Sequence, residues 1–409
     1  MNFPAKWLPK KAFAFLEKIK DHRFLVYGGL VRDYIRSQLG DETAPSGDEM
    51  AQESDVDVLF LHDNFDEAVD FLSRHTKALF PALIKERTIR VVVGDDESVD
   101  VAVVPTSVDL TQYPFDFTVN TFYCDGQTLV GDGSAPIYSP FKVSWQDVQQ
   151  KVLRAPNPRW LVDYPFGAIR GLRLYCQLPV YRFEKATAGI YPKALQKARW
   201  DISPLLIVRE FARAVDYSLR RFAEALYVTR GDEVFFDPLQ KLLRGAESQH
   251  LFLAYSAFDD SLRTDKYGKR WAKFCAKAKE VLVNVRMGVS RYRNLLNMTG
   301  FALLLHDIGK AIKEDSHDIL GARLVGKITE QLSFFPNERW IIYWLVRYHM
   351  RVHEAAHGNE KAIQWLKRKR DVLKYAAILL AASDALGHPE SSSPEEVTAR
   401  FLDLASAVI

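Results

Sequence analysis

Residues 54–60 read Ser-Asp-Val-Asp-Val-Leu-Phe, and this alternation of carboxylates with apolar side chains predicts a β-strand. Successive side chains of a strand point to opposite faces, so Asp55 and Asp57 share one face, about 7 Å apart along the strand. The intervening valines face the other way, into a core. Two like charges side by side repel unless a positive charge lies between them. A pair of divalent cations would satisfy both carboxylates, and such pairs support phosphoryl and nucleotidyl transfer.

A glycine turn precedes this strand. The apolar run Phe24–Tyr27 predicts a strand, Gly28 and Gly29 permit a tight backbone path, and Leu30–Leu39 has helical spacing. The start of such a helix offers free N–H groups and a positive dipole to a triphosphate, and Arg32 lies in its first turn. A Gly-Gly turn alone is equally compatible with any tight turn. Its combination with the Asp-x-Asp strand favours a nucleotide site.

Further polar residues lie in apolar surroundings. Asp100 falls in a second β-branched run and is a candidate third metal ligand beside the Asp-x-Asp pair, or else an edge-strand charge facing water. Asp116 and Asn120 lie among aromatic residues, where polar groups need partners. They brace the site, touch a ribose, or stabilise a turn.

An arginine pair follows in a helical segment. Arg170 and Arg173 are spaced i, i+3 and therefore share one helix face, and Asp163 lies near the start of that helix. Guanidinium groups in this arrangement can hold a triphosphate bidentately. Surface salt bridges are the alternative.

Hydrophobic patterning predicts an α+β protein, with a small mixed-sheet head followed by a long all-helical body. Strands are predicted at Val56–Leu61, Thr88–Val93 and Ser98–Val104 and a helix over Asp66–Leu79, and after Pro140 strand signals fade and helical patterns take over. We expect a catalytic head over residues 1–140, a helical neck that binds nucleotide and RNA over 141–245, and a helical body over 246–409.

The amino-acid composition constrains the size of the core, the possible partners and the cellular compartment. Apolar residues make up 48% of the 409 positions, enough for large cores, and the formal charge of +3 permits RNA binding without requiring it. Three widely spaced cysteines form neither a disulfide framework nor a zinc motif, which fits a reducing compartment. Because no apolar run approaches the length of a membrane span, we expect a soluble cytoplasmic protein without a membrane partner.

The motifs together resemble those of the tRNA nucleotidyltransferase and bacterial poly(A) polymerase family (class II), in consistent order over residues 20–215. The resemblance implies a two-metal Mg²⁺ site on Asp55 and Asp57. It also implies ATP, with CTP as a second candidate, and the 3′ end of RNA, chiefly tRNA, as partners. The residues implied to bind nucleotide are Gly28, Gly29, Arg32, Asp116, Asp163, Arg170 and Arg173.

The chain departs from that family in two places. Pro114 and Phe115 stand where the family has two arginines before its Asp-Phe-Thr motif. The family's base-reading Glu-Asp-x-x-Arg is replaced by Val162-Asp163 followed by Tyr-Pro-Phe-Gly. Metal and triphosphate chemistry is therefore better supported than a particular base choice, so CCA addition or repair and polyadenylation both remain open.

A second pattern, Leu-Leu-Leu-His306-Asp307-Ile-Gly-Lys, lies in the helical half. With His317, His349 and Asp384 it resembles the HD phosphohydrolase superfamily, whose imidazole and carboxylate ligands suit transition metals such as Mn, Ni or Fe. The first histidine of that superfamily has no clear counterpart, because residues 267–300 contain none and His250 lies too far upstream. The incomplete set favours a structural relic or a weak metal site over an active phosphohydrolase.

Two basic clusters complete the pattern. They consist of Lys266, Arg270, Lys273 and Lys277 at helical spacing, and of Lys367–Arg370 with Lys374. Either contacts RNA phosphates or forms a solvated helix face. The leading hypothesis is a Mg²⁺-dependent RNA nucleotidyltransferase. The alternatives are an HD-type phosphohydrolase with a nucleotide-binding head, and a catalytically lapsed RNA-binding paralogue.

Overall fold

The computed structural model describes residues 1–46, 56–83, 88–93, 97–288, 290–388 and 392–409. Internal packing divides the chain into two compact units. The head unit comprises Met1–Trp160 and Val180–Thr187, and the body unit comprises Leu161–Pro179 and Ala188–Ile409. The predicted α+β class, with a mixed-sheet head and a helical body, is confirmed. The finer division into head, neck and body stays a prediction.

The head unit contains an eight-stranded sheet in the order β1-β8-β7-β2-β3-β6-β5-β4. Strands β3 and β6 pair in parallel, and the other neighbours pair antiparallel. A separate parallel pair joins β9 to β10. The strands are β1 Asn2–Pro4, β2 Phe24–Tyr27, β3 Val56–Leu61, β4 Ala78–Leu83, β5 Thr88–Val92, β6 Ser98–Val104, β7 Tyr123–Asp125, β8 Ser134–Tyr138, β9 Val152–Leu153 and β10 Arg182–Phe183.

Within the described residues, five helices accompany this sheet and a sixth follows them. They are α1 Lys10–Lys18, α2 Gly29–Gln38, α3 Phe65–Arg74, α4 Gly126–Asp132, α5 Val143–Gln149 and α6 Pro158–Asp163. Helix α3 begins where the Asn64 side chain accepts from two backbone N–H groups of the first turn. The prediction that this helix extends to Leu79 is wrong. Leu79 lies in β4, because pairing with Val91 of β5 overrides its helical spacing.

Strand β3 carries apolar side chains on both faces, except at Asp57 near its beginning. Val56, Val58 and Phe60 are fully buried, as their alternation predicts. On the face of Asp57, Leu59 and Leu61 pack with apolar residues of β6. Asp57 is therefore near the beginning of a strand whose remainder is apolar on both faces. That position directs the carboxylate to the end of the strand that lies beside the glycine turn.

The body unit is built from helices that continue to the C-terminus. They are α7 Phe166–Gln177, α8 Lys185–Asp201, α9 Pro204–Tyr217, α10 Leu219–Thr229, α11 Gly231–Phe235, α12 Leu239–Leu243, α13 Ser248–Arg263, α14 Lys269–Val283, α15 Leu295–Leu305, α16 His317–Gln331, α17 Pro336–Ala356, α18 Glu360–Lys367, α19 Asp371–Leu386 and α20 Pro394–Val408. Lys266 precedes α14 and pairs with Asp260, so its assignment to the basic helix is wrong.

Helix α15 occupies the centre of the body unit. All of its 11 residues are buried, as expected for a helix that is apolar on every side. It is far shorter than the ~20 residues that a bilayer requires. Across the described ranges no helix combines the length and apolarity needed to cross a membrane. Helix α15 instead delivers His306 and Asp307, which follow its last residue, to the middle of the unit.

Candidate functional site

The glycine turn of the head unit lies directly against the carboxylate of Asp57. Strands β2 and β3 place Tyr27 opposite Asp57, and Gly28 follows as the N-cap of α2. The φ angle of Gly28 is 85°, a region that L side chains rarely adopt. A Cβ atom at this position would lie 2.8 Å from Asp57 Oδ2. Glycine is therefore required both by the backbone path and by the carboxylate, which lies beside the beginning of α2.

The partner carboxylate Asp55 immediately precedes β3 and lies outside the described residues. Its placement on the same face as Asp57 therefore stays a prediction.

Asp100 neighbours Asp57 across the sheet. The parallel register of β3 and β6 pairs Asp57 with Asp100, and the antiparallel register of β5 and β6 pairs Asp100 with Arg90. The Arg90 guanidinium donates two hydrogen bonds to Asp100, of 2.8 and 2.7 Å. This bidentate pair compensates the charge of Asp100, so a role as third metal ligand would require Arg90 to release it.

Arg32 braces the turn from within. It donates to both carboxylate oxygens of Asp33, at 2.8 and 2.7 Å, and to Asn120 Oδ1 at 2.8 Å. The Asn120 amide in turn lies 3.4 Å from Asp116 Oδ1. Three residues singled out from the sequence, Arg32, Asp116 and Asn120, are thus connected by hydrogen bonds. With Arg32 only 2% exposed, the guanidinium holds α2 to the segment around Asn120.

The arginine pair lies in the body unit, on α7. Arg173 donates to Glu210 Oε2 at 2.8 Å and to Gln177, and Arg209 and Arg213 reach the other Glu210 oxygen at 3.2 and 3.6 Å. Burial alone would raise the pKa of Glu210, but the surrounding guanidinium groups, that of Arg170 included, lower it to about 2. One carboxylate therefore organises a strongly positive cluster. Asp163 ends α6, shortly before α7 begins.

The other cluster of titratable groups surrounds the end of α15. His306 Nε2 lies 3.2 Å from Asp384 Oδ1 on α19 and 3.4 Å from Asp307 Oδ2. His250 Nε2, on α13, lies 3.0 Å from the same Asp384 oxygen. His250, His306 and Asp384 together offer three ligand atoms within 4.8 Å of one another.

A second group of three adjoins the first. His317 Nε2 lies 3.3 Å from Asp307 Oδ1 and 3.2 Å from His349 Nε2. Asp307, His317 and His349 likewise offer ligand atoms within 4.8 Å of one another. We name these six residues the His/Asp cluster.

Backbone carbonyls set the orientation of three of these rings. The Nδ1 atoms of His306, His349 and His317 lie 2.7, 2.7 and 3.0 Å from carbonyl oxygens. A carbonyl can only accept a hydrogen bond, so Nδ1 carries the proton and a neutral ring presents the Nε2 lone pair to the cluster. Two such lone pairs facing each other at 3.2 Å repel unless a positive charge lies between them. Metal-binding histidines commonly donate the proton on the other ring nitrogen to an oxygen in this way, which fixes the ring's orientation.

His250 corrects the expectation from sequence. Separation along the chain argued against it, and that argument is wrong, because α13 packs against α19 and brings the ring to Asp384. In the described part of the chain, neither ring nitrogen of His250 makes a hydrogen bond of good geometry. A buried imidazole aimed at two carboxylates in this way fits a metal ligand.

The charges of the cluster compensate one another. Burial lowers the pKa of His250, but the carboxylates of Asp307 and Asp384 outweigh it and raise the value to about 10. His349 moves the other way, because burial and then the neighbouring His306 lower its pKa to about 4. A divalent cation would replace the protons that the carboxylates now retain on imidazole.

Other residues around the cluster were not predicted as site residues. Lys310 Nζ lies 2.8 Å from Asp307 Oδ2 and 3.3 Å from Glu247. His353 Nε2 lies 2.8 Å from Asp384 Oδ2. The i, i+4 spacing of His349 and His353 on α17 was the signal that could have indicated His353.

Comparison with known proteins bears first on the body unit. The family model described as the HD domain matches residues 290–400. The body unit carries an HD domain. Its matched range includes His306, Asp307, His317, His349 and Asp384, whereas His250 lies before it.

Solved structures bear on the whole chain. A Thermotoga maritima CCA-adding enzyme complexed with tRNA is similar at a TM-score of 0.59 and 13% identity, over 97% of this chain and 81% of that one. A CCA-adding enzyme with CTP gives 0.56 and 13%, over 96% and 80%, and a tRNA-processing enzyme with CTP gives 0.53 and 16%, over 88% and 86%. The chain shares the fold of these enzymes.

Sequence relatives are similar over short segments only. Bifunctional uridylyltransferase/uridylyl-removing enzymes match at 40% identity over 78 residues in Ruegeria pomeroyi and at 44% over 59 residues in Cereibacter sphaeroides. These segments cover 16% and 14% of this chain and 8% and 6% of the relatives. The chain thus matches less than a tenth of the length of these curated relatives.

Proposed function

We propose that the chain is an RNA nucleotidyltransferase that adds nucleotides from nucleoside triphosphates to the 3′ end of an RNA, chiefly tRNA. The observation that carries the proposal is the contact between the Gly28 turn and the Asp57 carboxylate. It occurs in a head unit of a chain that shares its fold with CCA-adding enzymes. Those enzymes are described with tRNA and CTP, which supports the same classes of partner here.

Each head residue has a role in this proposal. Asp57, with Asp55, would hold Mg²⁺, which supplies charge stabilisation for the attacking 3′-oxygen and the departing pyrophosphate. The first N–H groups of α2 have no acceptor within the helix and would donate to the triphosphate. Arg32 keeps this turn in place through Asp33 and Asn120.

The positive cluster around Glu210 supports the prediction that Arg170 and Arg173 bind phosphate groups of a nucleotide such as ATP or CTP. Arg170 and Arg173 lie on one face of α7, and Glu210 fixes the orientation of Arg173. The sequence does not predict which base is selected, because Val162-Asp163 stands where the tRNA nucleotidyltransferase family has its base-reading motif. An experiment is therefore needed to distinguish CCA addition from polyadenylation.

The experiment is incorporation of each labelled nucleoside triphosphate, supplied singly, into total RNA with Mg²⁺. Incorporation from CTP and ATP indicates CCA addition, and incorporation from ATP alone indicates polyadenylation. Asp57→Asn should abolish incorporation, whereas Asp66→Asn, which neutralises an exposed carboxylate of the same unit, should retain it. Retained incorporation in the Asp57 variant would contradict the mechanism. RNA binding without incorporation by the parent would indicate the lapsed paralogue.

A second activity is favoured by a specific observation, the presence of His250 in the His/Asp cluster. We propose that this cluster holds Mn, Fe or Ni and hydrolyses a phosphoester. A bound cation would polarise a phosphoryl oxygen and lower the pKa of a bound water. Lys310, beside Asp307, would stabilise negative charge on the phosphoryl group.

Metal content and hydrolysis test this activity separately. We expect the purified chain to retain a transition metal and to hydrolyse bis-p-nitrophenyl phosphate or p-nitrophenyl phosphate. Asp384→Asn should lose both properties. His357→Gln removes an exposed imidazole of the same unit, outside the cluster, and should lose neither. Metal bound without hydrolysis of either ester would indicate a structural site.

A further inference from the structure

Helix α17 presents two opposite faces. Trp340, Trp344, Arg347 and Arg351 recur at spacings of three and four residues and therefore lie along one face. His349 and His353 fall on the opposite side, toward the His/Asp cluster, with His349 Nε2 3.2 Å from His317 Nε2. The first face thus has no part in the proposed metal site.

Aromatic rings form a ladder on that first face. Trp340 and Trp344 stack with ring centroids 6.4 Å apart, and Trp344 stacks on Trp365 of α18 at 5.6 Å and 12°. Trp344 and Trp365 are nearly buried, but Trp340, at one end of the ladder, is 52% exposed. Trp340 is held in place by stacking and is about half exposed to solvent, so another planar group such as a base can stack on its exposed ring face.

Basic side chains border the ladder. Arg351 and Lys369 lie 4.8 and 4.9 Å from the centroid of Trp365. Lys367, Arg368 and Arg370 are exposed beside them. Among the described residues, none of Arg351 and Lys367–Arg370 has a carboxylate oxygen within ion-pair distance; the ion pairs of this region involve other residues.

The charge of this segment exceeds that of the protein. Residues 351–370 contain six basic and two acidic side chains, whereas the whole chain has a net charge of only +3. Like charges gathered without counter-ions raise the energy of the free protein and favour an anionic partner. Such a concentration beside an exposed tryptophan fits a partner that carries both phosphates and aromatic planes.

We propose that the aromatic–basic surface, formed by Trp340, Trp344, Arg351, Trp365 and Lys367–Arg370, binds RNA. Phosphates lie against Arg351 and Lys367–Arg370, and an unpaired base stacks on Trp340. The proposal rests on the RNA substrate of the proposed nucleotidyl transfer and assigns to the HD domain a share in holding that RNA. Base stacking and phosphate contacts together distinguish RNA from an acidic protein or a lipid surface, which lack one or the other.

Binding of a fluorescein-labelled tRNA transcript, followed by fluorescence anisotropy without nucleoside triphosphate, tests the surface. Replacing Lys367, Arg368, Lys369 and Arg370 with Gln should raise the Kd for tRNA at least ~10-fold. The slope of log Kd against log salt concentration should fall by about 3, because each lost phosphate contact lowers it by roughly 0.7. Trp340→Ala should weaken binding roughly 10-fold with an unchanged salt slope, and Trp340→Phe should restore most of the loss.

The matched control is in the head unit. Replacing Lys6, Lys10, Lys18 and Lys20 with Gln removes the same formal charge from exposed side chains that have no part in either proposal. An equal loss of RNA binding in this control would overturn the proposal, because a general charge effect would then explain both results. Unchanged RNA binding by the Lys367–Arg370 variant would also overturn the proposal. The same conclusion would follow if that variant lost binding to phosphatidylglycerol vesicles or to an acidic peptide but kept its binding to RNA. Near-ultraviolet circular dichroism confirms that each variant is folded.

The outcomes separate the two proposals. A chain that binds tRNA through this surface but incorporates no nucleotide would contradict nucleotidyl transfer and support the surface. A chain that incorporates nucleotide while the Lys367–Arg370 variant binds tRNA like the parent would contradict the surface alone.

Discussion

His250 Nε2 lies 3.0 Å from Asp384 Oδ1, although the two residues belong to different helices, α13 and α19. This contact brings a third candidate ligand atom to His306 and Asp384. Because His306 and Asp307 lie together at the end of a fully buried helix, the cluster is fixed to the centre of the body unit. A site built on packed helices holds its ligands in place more firmly than a site on loops.

His250→Gln should weaken transition-metal binding by more than roughly 100-fold, the upper end of what loss of an outer-shell partner costs at a metal site. The substitution removes a ligand atom but retains a polar side chain of similar length. Competition with a metallochromic chelator measures the affinity. His357→Gln is the control, since that imidazole is exposed and lies outside the cluster. An equal loss in both variants would argue against His250 as a ligand.

Metal affinity should rise with pH. Because the carboxylates raise the pKa of His250 to about 10, the imidazole is protonated at neutral pH and its proton competes with the metal. Each proton displaced makes the affinity rise about tenfold per pH unit up to that pKa. Calorimetry in buffers of different ionisation enthalpy counts the protons released. His250→Gln should release about one proton fewer, and an unchanged count would contradict the assignment.

Gly28→Ala should strongly reduce the rate of nucleotide incorporation while lowering the thermal midpoint only moderately. The backbone of Gly28, at φ 85° and ψ −140°, costs a side chain roughly 1–3 kcal/mol, and the new Cβ displaces the Asp57 carboxylate. A displacement of ~1 Å at a reacting centre costs roughly 100-fold in rate.

Gly268→Ala is the control for backbone strain. Gly268 has φ 92° and ψ 151°, outside the αL region like Gly28, with no atom within 4 Å of the Cβ position among the described residues. Its replacement should lower the thermal midpoint by a similar amount and leave incorporation intact. Equal effects of the two substitutions on incorporation would mean that strain alone, and not the Asp57 contact, explains the loss.

Glu210 should make the body unit acid-sensitive. Its pKa lies near 2 in the folded protein, despite the opposing effect of burial, and near 4.5 in an unfolded chain. A lowered carboxylate pKa stabilises the fold above about pH 4.5 by roughly 3 kcal/mol, and this contribution is lost as the pH falls toward 2. The difference in thermal midpoint between the parent and Glu210→Gln should therefore shrink over that range.

Glu224→Gln provides the comparison for Glu210. Glu224 pairs with Arg220 and Arg221 at a site where its side chain is 25% exposed, so solvent screens the interaction. Its difference from the parent in thermal midpoint should be small. A pH-independent difference for Glu210→Gln would show that arginine pairing does not lower the pKa of Glu210.

Local pattern predicted several elements of the fold well. The alternation around Asp57 predicted β3 and its buried valines, and the helical spacing after the glycine turn predicted α2. The apolar run before His306 predicted a helix that ends at the His-Asp pair. These features depend on neighbouring residues, whose periodicity reports burial directly.

Contacts between distant segments were decided by packing. Whether Asp100 faces a cation or an arginine depends on its register with Arg90. Leu79 has helical spacing but joins a strand, because β5 offers it a partner. His250 reaches Asp384 only because two helices pack side by side. Periodicity along a chain records which face of a helix or strand is buried, but not which other element packs against that face. The residues that meet in the His/Asp cluster depend on which helices pack together.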